Sequence, residues 1–168
     1  MMSGGSWGNG GRTPVHFDAW CKYRMGWINP HVPTENIRGA ELPAVEVNPE
    51  IYRLWYHGEG GPEYFLVENR QRMLFDSFLP GEGMLIYHVD ENQQGNSNEE
   101  HYLVALEQAD GELDLENGRG SDDGDPYPGR MDNRVFDDFS IPNAWDYWEN
   151  ETQVAVWDIS DNDSIMTF

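Results

Sequence analysis

Lysine is almost missing. Lys22 stands alone among ten basic side chains, against 31 acids, and the net charge is −21. So negative a chain repels nucleic acid and anionic membrane, which disfavours both as partners. Cysteine is scarcer than a disulfide needs, because Cys21 has no second thiol in the chain. No apolar run approaches the ~18 residues of a membrane span. The opening MMSGGSWGNGG lacks the basic and apolar regions of a signal peptide.

Familiar catalytic motifs are missing too. There is no H-E-x-x-H, and the five histidines, His16, His31, His57, His88 and His101, are isolated from one another. The chain therefore carries no self-contained zinc site of that kind. It has no G-x-S-x-G elbow, and Gly58-Glu59-Gly60-Gly61 lacks the helix that a phosphate-binding loop requires.

What remains is aromatic. Hydrophobic residues make up 38%, aromatics 13%, and seven are Trp, so the core rests on large flat rings that suit sheets better than helix bundles. A length of 168 residues fits one domain. Residues 1–27 read as a glycine-rich loop and a helix, and residues 28–168 as a β-rich part. Thr13 and Pro14 supply a helix start, Phe17, Trp20, Cys21 and Met25 an apolar face, and Gly26 a stop. Cys21 on that face is expected to be a buried, inert thiol.

Beyond Trp27 the period changes to two. Strands are predicted over Asn36–Leu42, Ile51–His57, Glu63–Glu68, Met84–Asp90, His101–Gln108, Gln153–Ile159 and Ser164–Phe168. About seven strands with one N-terminal helix predict a mainly β fold, an antiparallel sheet or sandwich. The central pair, Glu63–Glu68 and Met84–Asp90, flanks a Leu-Pro-Gly-Glu-Gly turn and ends in polar groups. Among these, Glu68, His88 and Asp90 form a candidate polar cluster. His88 and Asp90 share a face by alternation, as a general-base or metal-ligand pair would, although a structural hydrogen bond is the simpler reading.

The stretch 110–129 is long, acidic and without periodicity, and compact domains seldom carry such a loop without something to order it. Asp122, Asp123 and Asp125 around Gly124, with Asp110 and Asp114 before them, offer the oxygen donors calcium prefers. Their spacing is not that of an EF-hand, and a solvated acidic loop remains the alternative. Trp145, Tyr147 and Trp148 read as exposed and would suit a carbohydrate platform, or plain edge packing.

Taken in order, MSGGSW, PVHFDAWCKYRMGW, EYFLVENRQ, FDSFLPGEGMLIYHVD and GDPYPG resemble the immune-inhibitor-A family of secreted bacterial zinc metallopeptidases. That resemblance implies a partial α+β, metzincin-like domain. M-S-G-G-S-W resembles the methionine turn beneath the zinc, so Met2, Ser3, Gly4, Gly5, Ser6 and Trp7 would line the cleft. The zinc helix of such peptidases lies upstream of this turn, and the chain holds no counterpart of it. A secreted endopeptidase acting on proteins or peptides is therefore implied for the parent. This chain alone is expected to be inactive without its missing N-terminal catalytic half. The resemblance further implies Trp20 and Trp27 in the core, and it strengthens the expectation of calcium. The rival readings are a calcium-dependent, non-catalytic β-sandwich binding module and an inactive paralogue.

Overall fold

A computed structural model describes residues 8–58 and 60–168. The fold is mainly β, as predicted. Strands β1 (Glu41–Pro43) and β6 (Ile165–Thr167) form a two-stranded antiparallel sheet. Strands β2 (Tyr52–Leu54), β3 (Glu63–Arg70), β4 (Gly83–Asp90) and β5 (Val104–Leu106) form a four-stranded one in sequence order. The described residues thus hold six strands in place of seven.

The β3–β4 hairpin is the centre. Its register runs from Glu63 opposite Asp90 to Arg70 opposite Gly83, and every residue of β3 is buried. Both faces are covered, so alternation along the strand selects between two cores instead of core and solvent. Phe65, Val67, Met84 and Ile86 pack with Leu42, Met166, Tyr127 and Phe136. Tyr64, Leu66, Tyr87 and Val89 pack with Ala19, Ile28, Val45 and Ile51.

The helix is shorter than its sequence signals imply, spanning Ala19–Arg24. Asp18, not Thr13, caps it, with Oδ1 accepting the Cys21 N–H at 2.8 Å. Residues 14–18 stay out of the helix because side chains of β3 and of the loop after it bind the backbone of His16. The His16 N–H donates to Asp76 Oδ1 at 2.8 Å, and its carbonyl accepts from Arg70 Nη2. Tertiary hydrogen bonds to charged groups outbid a local propensity. The predicted apolar face is displaced accordingly. Ala19 and Lys22 are the buried pair, Cys21 is half-buried, and Phe17 and Met25 are exposed. Trp27, expected in the core, is exposed as well, in edge contact with Phe17.

The segment 153–159 also departs from expectation. Thr152, Val154 and Val156 alternate inward as a strand would, but among the described residues the segment's only ladder contact is the Phe136–Val156 bridge. Gln153 and Asp158 turn the chain with φ of 61° and 53°, left-handed values a strand cannot contain.

Candidate functional site

Charged groups converge where the entry segment 13–18 crosses β3. Glu68 Oε2 accepts from Lys22 Nζ at 2.8 Å, and Glu68 Oε1 accepts from Tyr87 Oη at 2.9 Å. Arg70 spans Glu68 Oε1 at 3.3 Å and Asp76 Oδ2 at 2.9 Å. Glu68 and Asp76 are completely buried, so two cations balance two anions out of water. Burial works against the Asp76 charge, but Arg70 prevails and holds its carboxyl below the usual range.

Glu46 adjoins this set. Its Oε1 accepts the Gln71 N–H at 3.0 Å, while Oε2 is buried without a donor. Burial first, and Asp76 beside it, push the Glu46 carboxyl up to about 7. Since Lys22 and Arg70 already neutralise Glu68 and Asp76, a third anion here would be uncompensated. A proton held on Glu46 and donated toward Asp76 would satisfy the stranded oxygen.

Next to the network lies an open cleft of about 540 Å³, with Val15, Phe78, Leu85, Tyr87, Val104 and Leu106 among its walls. Phe75 and Phe78, on the loop after β3, add exposed apolar surface nearby.

The three polar residues expected to cluster at the strand ends divide between faces. Glu68 pairs with Leu85 and belongs to the network above, whereas His88 and Asp90 lie on the opposite face, beside Phe65 and Glu63. His88 Nε2 meets Glu63 Oε1 at 2.9 Å, and Nδ1 meets Glu107 Oε1 at 3.4 Å. Asp90 Oδ2 takes His101 Nε2 at 2.7 Å. Between the two imidazoles sits Tyr147, stacked 4.3 Å from His88 and 3.9 Å from His101. Burial opposes a charge on His88, but the hydrogen bonds to Glu107 and Glu63 outweigh it and raise its pKa. Tyr147 is thus a half-buried spacer, while Trp145 and Trp148 are exposed. Each histidine nitrogen in contact here faces a carboxylate, a donor arrangement unlike that of a zinc ligand set.

The acidic stretch 110–129 is ordered by Gln108, which is fully buried. Gln108 Oε1 accepts the Asp114 N–H at 2.7 Å, and Nε2 donates to Glu116 Oε2 at 2.6 Å. Among the described residues, Asp110, Asp122 and Asp125 bring one oxygen each within 4.8 Å of one another. Burial pushes the Asp125 carboxyl up to about 6, aided by Asp122 and Asp110. Arg130 already serves this knot, binding Asp122 and reaching Asp110 Oδ2 at 2.9 Å and Glu112 Oε1 at 3.0 Å. Asp123 is more exposed, with its Oδ1 3.6 Å from Arg130, and Asp114 pairs with Arg119 at 3.0 Å.

The expected cleft residues Met2, Ser3, Gly4, Gly5, Ser6 and Trp7 lie outside the described residues. Sequence reasoning missed Glu46 and Gln108, neither of which belongs to a motif, and it read Tyr147 as exposed where it lies half-buried between His88 and His101. Cys21 is chemically quiet, its thiol pushed up to about 11 by burial and by Asp18. No helix among the described residues is long and apolar enough to cross a membrane. Compared with family models, with curated proteins and with solved structures, the chain matches none.

Proposed function

We propose that this chain is the supporting, post-zinc part of a secreted zinc endopeptidase: it braces the catalytic cleft but supplies no reagent. The carrying observation is the clamp on residues 13–18, just after the segment resembling the methionine turn. There Arg70 and Asp76 grip both backbone polar groups of His16. Buried charge-assisted hydrogen bonds fix a backbone more firmly than exposed ones, as a wall beneath a metal requires. The apolar cleft beside the clamp supports the same reading, since a helix-bearing catalytic half would have such a surface to cover.

Zinc chemistry needs ligands and a general base that these residues do not provide, so in the parent the metal belongs to an upstream H-E-x-x-H helix. Calcium is a different matter. Asp110, Asp122 and Asp125 are hard oxygen donors in a suitable grouping, and calcium there would pin the acidic loop to the end of β5. Arg130 would have to give way to it.

The test is casein hydrolysis with added zinc, run on this chain and on a version extended by the upstream reading frame. Cleavage by the extended protein alone is expected. Zinc-dependent cleavage by these 168 residues, or an upstream frame without H-E-x-x-H, would sink the proposal.

A further inference from the structure

We propose that the groove between residues 33–39 and 153–158 is a binding site for a neutral saccharide, with the Trp157 indole as its stacking platform. This site stands apart from the clamp, the cleft and the acidic knot, and it does not depend on the peptidase reading.

The groove encloses about 760 Å³, within the ~300–1,000 Å³ of small-ligand sites. Trp157 is 58% exposed and, unlike the exposed Trp27 and Trp148, lines the groove. Its orientation is restrained by one hydrogen bond, which Nε1 donates to Asp137 Oδ2 at 2.9 Å. With its one polar atom engaged, the ring offers an apolar face and asks nothing further of a ligand. The apolar C–H face of a pyranose ring matches such a surface.

The backbone around Trp157 is held against its own preference. Gln153 and Asp158, both lining the groove, occupy left-handed φ values without being glycine. Each such residue costs ~1 kcal/mol or more and persists only where surroundings impose it. At Gln153 the imposing group is Asp138, whose carboxylate accepts the Thr152 N–H at 3.0 Å and the Gln153 N–H at 2.9 Å. Adjacent aspartates thus do separate jobs: Asp137 binds the indole, and Asp138 sets the turn at Gln153 on the groove's rim.

The rim supplies what hydroxyls need. Asn36, Arg38, Gln153 and Asp158 bring amide, guanidinium and carboxylate groups, hence both donors and acceptors. Sugar hydroxyls are both at once. The net charge of −21 disfavours acidic polysaccharides, and the uncharged stacking face of Trp157 calls for no charge on the ligand, which favours a neutral saccharide.

The experiment is affinity electrophoresis of the full chain in native gels containing laminarin, xylan, hydroxyethyl cellulose or glycol chitin. A parallel fluorescence titration uses a proline decamer. Retardation is expected in at least one gel. Trp157→Ala should weaken it about tenfold or more, while Trp148→Ala, a Trp outside this groove, leaves it unchanged. Gln153→Gly supplies the second variant, since glycine accepts the φ without strain and removes the rim amide. It should fold at least as well and bind more weakly. No retardation in any of the four gels overturns the proposal. So does retardation indifferent to Trp157→Ala, or binding of the proline decamer through Trp157 with the gels silent.

Discussion

Replacing Glu46 with glutamine should stabilise the fold at pH 8 and leave it unchanged at pH 4.5. The Glu46 carboxyl is pushed up to about 7 from an ordinary value of 4.5, chiefly by burial. The folded state therefore holds this proton more tightly than the unfolded chain does. Below about pH 4.5 both states are protonated and nothing is lost. Stability then falls as pH rises to about 7, and the whole cost is present above that. For a fully buried carboxyl the difference would be ~3 kcal/mol, but Glu46 is only half-buried, and solvent screening brings this nearer ~1–2 kcal/mol. Glutamine reproduces the protonated side chain at every pH. Its carbonyl accepts the Gln71 N–H, and its amide donates toward Asp76. Urea denaturation followed by Trp fluorescence at pH 4.5, 6 and 8 measures the effect. Equal shifts at all three pH values, or destabilisation at pH 8, would refute the proton on Glu46.

Three further outcomes are expected. His88→Gln should flatten the alkaline part of the stability profile. The raised His88 pKa adds stability that is complete below about 6.5 and lost as pH climbs through the elevated value, which thermal unfolding across pH 6–9 resolves. Arg70→Met leaves Glu68 and Asp76 short of a partner and frees the His16 carbonyl, so a loss of ~3–5 kcal/mol is expected from urea midpoints. Millimolar calcium should raise the melting temperature at pH 7.5. Asp125→Asn should remove that response, and Arg130→Gln, by withdrawing the competing guanidinium, should strengthen it.

The β3–β4 hairpin was legible because apolar side chains on both faces leave a continuous signal, broken only where polar groups enter. Its polar ends were legible as residues but not as partners. Glu68 differs from His88 and Asp90 only in strand and register, and neither strand's own sequence states its register with the other. The helix start was misread since Thr13 and Pro14 form a valid local signal, overruled by Asp76 and Arg70 some 54 to 60 residues away in sequence. The 153–159 segment kept the burial rhythm of a strand but lost its hydrogen bonds to turns at Gln153 and Asp158, the first of them held by Asp138, a contact no periodicity encodes. Glu46 could not be singled out at all, because its significance arises from a charge count over four distant side chains.

The fate of Lys22 has a practical corollary. The chain's single side-chain amine is 2.8 Å from Glu68 Oε2 and 11% accessible, so the native molecule gives amine-directed reagents almost nothing to attack beyond its α-amine. Acylation at Lys22 and cutting by a lysine-specific protease thus become clocks of opening. Both should stay silent until the helix leaves the hairpin, and both should start together when it does.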